Sequence, residues 1–290
     1  MTDYIVMTDS NADLTPELVK QLGIKIISTE YALEGKTYLN MPDHSEYDFH
    51  AFYEKLKVGI PSKTSLINVD RYLGEFEPEL KKGNDVLYIC FSSALSGSFN
   101  CAKLAAEELR EKYPERKIFA VDSLSASGGE GLLVYTAVQQ KKNGLSIDEL
   151  AKWVEDNRNH LCHWFTVDDL DHLKRGGRIS SAAAFFGGML SIKPVLHVDD
   201  EGRLIPMQKV RGRKAALDAL VSEMEKTAVN PEEQLIYVCH ADREEDCDYV
   251  IDLVKKRFKV KDIKKGHIGP VIGTHSGPGT IALFYFGTHK

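Results

Sequence analysis

An α/β fold with a parallel sheet, followed by a smaller α+β unit, is the class this sequence predicts. Three observations carry it. Strand-like and helix-like segments alternate through the first half. One of those strands, Asp85 to Phe91 (DVLYICF), is an apolar run of the kind buried on both faces of a parallel sheet. Beyond Leu161 the pattern changes to hairpins mixed with helices. The boundary is expected near Leu161, giving units over residues 1–161 and 162–290.

In chain order, Tyr4 to Thr8 reads as a short buried strand ending at Asp9-Ser10. Thr15-Pro16-Glu17 opens a helix, with proline at the first helical position. Ile24 to Leu33 and Lys36 to Leu39 read as a hairpin turning at Glu34-Gly35. Glu46 to Leu56 has helical apolar spacing, and Pro61 ends it. Ser62-Lys63-Thr64-Ser65 is expected to be a polar loop before a helix near Val69 to Leu80. After the Asp85 strand come a serine-rich turn (Ser92 to Ser98) and a helix from Phe99 to Lys112. Lys117 to Val121 is a strand, ending in Asp122-Ser123. Gly128 to Lys142 and Ile147 to Asn159 read as helices.

In the second unit Trp164 to Val167 is a strand. Pro194 to Val198 and Arg203 to Val210 form a hairpin across Asp199 to Gly202. Arg213 to Thr227 and Asp248 to Phe258 are helical. Leu235 to Cys239, Asp262 to Ile268 and Ile281 to Phe286 read as strands.

Composition narrows the function classes. The formal net charge of −6 argues against nucleic acid as a partner, because nucleic acid selects basic faces. Five cysteines at wide spacings, without a C-x-x-C pair, fit a reduced, cytoplasmic setting. The opening residues, MTDYIVMTDS, lack the basic lead and apolar run of a signal peptide, and no window is apolar enough to span a bilayer. His160, Cys162 and His163 fit no common zinc spacing, so no metal is expected there.

Polar residues follow three parallel strands: Thr8-Asp9-Ser10, Ser92 to Ser98, and Asp122-Ser123. Ligands in open α/β sheets bind at these strand ends, although serine and aspartate also simply cap helices. The sharpest of the three is Ser92-Ser93-Ala94-Leu95-Ser96-Gly97-Ser98. A helix start there offers free amides and a favourable dipole to an anion, with Ser93, Ser96 and Ser98 adding hydroxyls and Gly97 allowing close approach. It is neither the G-x-x-x-x-G-K-[ST] phosphate loop nor the G-x-S-x-G elbow. Thr64 and Ser65 are a second hydroxyl pair. Ile268 to Thr280 (IGPVIGTHSGPGT) is dense in glycine and proline and reads as a shaped binding loop carrying His275.

Asp168 to Pro194 (DDLDHLKRGGRISSAAAFFGGMLSIKP) packs Lys174, Arg175 and Arg178 around a glycine turn, then becomes apolar. Ser180 or Ser181 would cap a helix through Ala182-Ala183-Ala184-Phe185-Phe186. Such a junction suits a ligand with an anionic head and an apolar body. A second basic cluster, Lys209, Arg211, Arg213 and Lys214, surrounds Gly212 at a helix start, where positive charge is unfavourable without an anionic partner.

These segments together resemble the DegV family of bacterial fatty-acid-binding proteins. VMTDSNADL, the Thr64-Ser65 pair, SSALSGS, DDLDHLKRGGRIS with its IKP ending, and IGPVIGTHSGPGT occur in the family's order and span nearly the whole chain. Leu66-Ile67 depart from the Gln-Pro that often follows the family's Thr-Ser pair, and Lys63 makes this loop one residue longer than in some members.

The resemblance implies two domains with one long-chain fatty acid between them, its tail in an apolar tunnel. It makes Thr64 and Ser96 the hydroxyls that hold the carboxylate. Ser65 and Ser93 are secondary, with Gly97 alongside and His275 near the head. Arg175, Arg178, Lys209 and Arg211 would face a partner or a phosphate. Phe185, Phe186, Met189 and Leu190 are candidates for the tunnel wall.

Some members resemble the fatty-acid-binding subunit of bacterial fatty acid kinase, which presents the lipid to a separate ATP-dependent kinase for acyl-phosphate formation. The implied role is that of a carrier rather than an enzyme. It needs no cofactor or metal beyond the bound fatty acid, and it allows transient membrane contact. The alternative is a phosphotransferase or hydrolase using Ser96 and His275, with Asp9 or Asp122 as the orienting acid.

Overall fold

The computed structural model describes residues 4–179 and 192–290. The first half runs β1 (Tyr4–Asp9), α1 (Pro16–Leu22), β2 (Lys25–Ile27), β3 (Glu30–Leu33), β4 (Lys36–Leu39), α2 (Phe49–Lys57), β5 (Ser62–Ser65), α3 (Val69–Lys81), β6 (Asp85–Cys90), α4 (Ser98–Lys112), β7 (Ile118–Asp122), α5 (Gly128–Lys142) and α6 (Ile147–Asn157). The second half runs β8 (Leu161–Thr166), α7 (Asp171–Arg175), β9 (Ile192–Val198), β10 (Leu204–Arg211), α8 (Arg213–Thr227), β11 (Leu235–His240), α9 (Glu244–Arg257), β12 (Asp262–His267), α10 (Pro270–Ser276) and β13 (Ile281–Phe286). The expected cap at Ser180 or Ser181, the helix through Phe186, and the wall candidates Phe185, Phe186, Met189 and Leu190 lie outside the described residues.

The first sheet has the order β2-β1-β6-β7, and every pairing is parallel. β6 is buried at all six positions, as its apolar run implies. The second sheet has the order β10-β9-β8-β13-β11-β12. It is antiparallel except for the β11–β12 pair. The fold is therefore α/β, with the parallel and mixed sheets that the change of pattern near Leu161 implied.

A small third sheet, β4-β3-β5, departs from expectation. Ser62 to Ser65 is not a loop but a strand, antiparallel to β3, with Thr64 opposite Tyr31. Its burial alternates, with Ser62 and Thr64 half-buried and Lys63 and Ser65 more exposed. Four polar residues carry no hydrophobic period, and the tertiary pairing with β3 decides their conformation. The β3–β4 turn does follow the sequence: Glu34 and Gly35 both have positive φ, as a two-residue hairpin turn requires.

The run Ile268 to Thr280 is likewise not a plain loop. Pro270 starts α10 at a position where its missing N–H costs nothing, and Gly277, at φ 81, ends it.

One helix joins the two large sheets. α5 is buried along much of its length and packs between them. Leu87 and Val121 of the first sheet, Leu132 and Val134 of α5, and Phe165 and Phe284 of the second sheet belong to one continuous core. The start of α5 presses against the second sheet. A Cβ on Gly128 would meet Cys239 Sγ and Phe284 Cε2 at 2.7 Å, and Tyr237 Cδ1 at 2.8 Å. Glycine is needed there for closeness, not for backbone angle.

Candidate functional site

The site forms where β5, the β6–α4 turn, the α7 end and α10 converge. After β6 the chain folds back at Ser92. Its hydroxyl donates to the Gly202 carbonyl at 2.9 Å and so ties this turn to the β9–β10 hairpin. Ser96 then sits just ahead of α4. Its hydroxyl accepts from the Ser98 amide at 3.2 Å and pairs with the Ser98 hydroxyl at 3.0 Å. Gly97 precedes the helix in a right-handed conformation and carries no capping side chain. Its value is that no side chain at this position covers the start of α4, rather than an unusual φ, and its nearest neighbour at the Cβ position is Leu66 Cδ2 at 3.4 Å.

From the other side come β5 and α10. Thr64 Oγ1 lies 2.8 Å from His275 Nε2, and Thr274 Oγ1 donates to Ser62 Oγ at 2.8 Å. Gly176 makes room for the imidazole: a side chain there would collide with His275 Nδ1. Burial first, then the Arg178 charge and the neighbouring His172, push the His275 pKa down to about 4. The ring is neutral at pH 7, and its Nδ1 is buried without a hydrogen-bond partner among the described residues.

Thr64, Ser65, Ser96, Gly97 and His275 all line one cavity of about 240 Å³. Its deeper wall is largely apolar, formed in part by Phe91, Leu95, Phe165, Leu173, Val271 and Ile272. A second cavity of about 410 Å³ shares Thr64, Arg178 and His275 with the first and is also lined by Lys63, His172 and Arg175. The Thr64–His275 pair thus stands between an apolar chamber and a basic antechamber.

The predicted residues do not all meet. Ser93 is exposed, lines neither cavity and gives its amide to Asp122 Oδ1 at 3.2 Å. In this turn the buried position is taken by Leu95.

Arg178 reaches further in than a partner-facing role implies. Half-buried, it lines both cavities, with Nε donating to the Leu95 carbonyl at 3.2 Å and Nη1 to the Gly176 carbonyl. Arg175 is exposed at the antechamber, at the end of α7, and Gly177, at φ 69, makes the turn that follows. Lys209 and Arg211 are exposed on the edge strand β10, outside both cavities. Part of that second basic cluster is answered within the chain, since Arg213 Nε binds Asp246 Oδ2 at 2.9 Å.

The orienting acid of a nucleophilic triad does not form among the described residues. Ser96 pairs with Ser98, not His275. Asp9 is taken by the Tyr88 hydroxyl at 2.9 Å and the Phe91 amide at 3.2 Å, and burial raises its pKa. Asp122 accepts from the amides of Ser93 and Leu124. His160, Cys162 and His163 do not converge either: His160 Nδ1 meets the Thr288 carbonyl at 2.9 Å, and Cys162 belongs to the core on the opposite face of β8.

Sequence reading missed several lining residues. Ser276 is the clearest, with a buried hydroxyl that lacks a partner among the described residues; its place beside His275 in the glycine-rich run was the available signal. Asn11, Thr29, Ser127 and His163 also line the chamber. Asn11 directly follows the strand-end cluster Thr8-Asp9-Ser10, which was its available signal, whereas Thr29 and Ser127 carried none.

The architecture and site define an α/β protein with an apolar chamber sealed by hydroxyls and a neutral histidine. The chain belongs to the DegV family, whose model, described as an uncharacterised protein family, matches residues 4–288. A DegV domain-containing protein of Clostridium perfringens is 48% identical over 290 residues, covering 100% of this chain and 99% of the relative. A DegV family protein from Thermus thermophilus, described for its fatty acid binding, superposes with a TM-score of 0.89 at 28% identity, over 99% of this chain and 100% of that one. DegV of Bacillus subtilis, a fatty acid binding protein, gives 0.84 at 31% identity, over 98% and 99%.

Proposed function

We propose that this protein binds one long-chain fatty acid in the cytoplasm and presents its carboxylate to a separate ATP-dependent kinase. The tail fills the apolar chamber. Thr64, Ser96 and His275 hold the head, with Ser65 and the open first turn of α4 at Gly97 beside it. Two units, meeting near Leu161, enclose the ligand. The observation that carries this reading is the placing of Thr64 and His275 between the chamber and the antechamber.

The energetics fit a carrier. Each buried methylene contributes about 0.8 kcal/mol, so the tail supplies most of the affinity and the hydroxyls fix direction. Neutral donors leave a carboxylate oxygen free, whereas a bidentate arginine would cover both. Arg178 already spends donors on the Leu95 and Gly176 carbonyls. Lys63, Arg175 and Arg178 give the antechamber the positive charge that a phosphoryl group needs. The exposed Lys209 and Arg211 add a basic edge for the kinase. The fatty acid binding of the Thermus and Bacillus proteins supports the ligand class. The hydrolase alternative lacks support, because His275 Nδ1 has no acid partner among the described residues.

Native mass spectrometry of protein purified without detergent tests the reading, followed by delipidation and rebinding of palmitic and oleic acids. One fatty acid per chain is the expected result. Protein that neither carries nor takes up a fatty acid refutes it. For the presentation step, Arg175→Ala should keep fatty acid affinity within about twofold while lowering acyl-phosphate formation by the kinase.

A further inference from the structure

Most polar groups on the chamber wall are already paired. Thr29 Oγ1 donates to Asn11 Oδ1 at 3.0 Å, Ser127 Oγ to Asp13 Oδ2 at 2.5 Å, and Thr280 Oγ1 to the Gly277 carbonyl at 2.8 Å. Ser96 and Thr64 have the partners described above. Among the described residues, Ser276 Oγ and His275 Nδ1 are buried beside the head without a partner. A third unpaired atom lies elsewhere. His163 lines the chamber, is 4% exposed, and its Nδ1 has no hydrogen-bond partner among the described residues.

The sheet register fixes its depth. On β13, Ile281 pairs with Thr166, next to Thr280 and the head; His163 pairs with Phe284, three residues further along β8. At strand spacing that is about 10 Å deeper. The imidazole sits between aromatic rings there, 5.3 Å from Phe165 and 4.5 Å from Phe284 by ring centroids. Burial, reinforced by His197 and Lys290, holds its pKa well below the usual value, so the ring is neutral, with one N–H and one bare nitrogen. A water at this depth needs two to four polar partners, and apart from Ser276 and His275 near the head most other polar wall groups among the described residues are already paired.

We propose that His163 receives a hydroxyl on the acyl chain, making the preferred ligand a fatty acid hydroxylated well below its carboxylate. A hydroxyl both donates and accepts, which matches either nitrogen of a neutral imidazole. A plain alkyl chain leaves the ring unpaired in an apolar site, which is costly. The inference rests on the fatty acid reading above and adds the class of chain.

The test is competition for a fluorescent fatty acid by stearic acid and by its monohydroxy positional isomers. It is run on the wild-type protein, His163→Leu and His163→Gln, with thermal melts to confirm folding. At least one mid-chain isomer should bind the wild type about tenfold tighter than stearic acid, equivalent to ~1.4 kcal/mol. His163→Leu should erase that preference while binding stearic acid as well or better, and His163→Gln should retain part of it. The inference is overturned if every isomer binds the wild type no better than stearic acid, or if His163→Leu keeps the preference. Should His163→Leu fail to fold, the wild-type ranking and the glutamine variant decide. Loss of all binding, stearic acid included, removes the fatty acid reading as well; normal stearic acid binding without a hydroxyl preference removes this inference alone.

Discussion

Thr64 and His275, 211 residues apart in sequence, meet at 2.8 Å and close the chamber between a polar strand and a short helix. Neither residue has another route to this position. Thr64 is carried by the pairing of β5 with β3, and His275 is seated over Gly176. Hydrogen bonds to a charged group are worth about 1.5–3 kcal/mol, so Thr64→Val and His275→Ala should each weaken fatty acid binding roughly tenfold or more. On the proposed reading both act on one carboxylate, which requires the double variant to lose less than the product of the single losses. Competition binding with a fluorescent fatty acid measures this. Equal affinity of both single variants and wild type would place the head elsewhere.

Asp13 links three segments. Its Oδ1 accepts the Gly269 amide at 2.9 Å ahead of α10, and its Oδ2 accepts the Ser127 hydroxyl at 2.5 Å ahead of α5. Burial raises its pKa to about 8, against the donors, which lower it. The folded-state value lies above the unfolded one, near 3.9. Asp13 therefore favours folding most fully below about pH 4, and this contribution disappears as pH rises through about 8. Asparagine supplies an oxygen for Gly269 and an amide for Ser127, and it tolerates the φ of 47° found here. Urea melts of Asp13→Asn should therefore lose less stability than wild type between pH 6 and pH 9. Parallel pH profiles would show that Asp13 is ionised in the folded protein.

Strands β1, β6 and β7 and the serine turn were legible because their signals are local, whereas the run read as one hairpin strand from Ile24 to Leu33 splits into β2, parallel to β1, and β3 in the third sheet. β6 is apolar along most of its length, and Ser92 to Ser98 sits between it and a helix with matching periodicity. β5 was illegible, since SKTS has no apolar period and becomes a strand only because Tyr31 and its neighbours offer a partner. The histidine and the hydroxyls could be named as residue types, but their meeting depends on long-range packing. His163 illustrates the limit: in sequence it is one polar residue in an apolar strand, and only the register with β13 places it on the chamber wall. Ser93 failed in the opposite sense, belonging to the right turn but facing out of it.

Two glycines that look equivalent in sequence should respond oppositely to alanine. Gly128 begins α5, where an added methyl meets Cys239, Phe284 and Tyr237 at 2.7–2.8 Å. These neighbours are buried in the core beneath the second sheet and have little room to move. Overpacking of this kind costs about 1–3 kcal/mol. Gly74 lies inside α3, is exposed, and has nothing within 4 Å of the position a methyl would take. Alanine is about 1 kcal/mol better than glycine in a helix interior, so Gly74→Ala should stabilise by up to that amount. Urea denaturation at fixed pH gives both numbers. Because Ser127, the residue just before α5, lines the chamber, Gly128→Ala should weaken fatty acid binding as well, whereas Gly74→Ala should leave it unchanged. A Gly128→Ala protein as stable as wild type would mean that the two sheets are not pressed together through this helix.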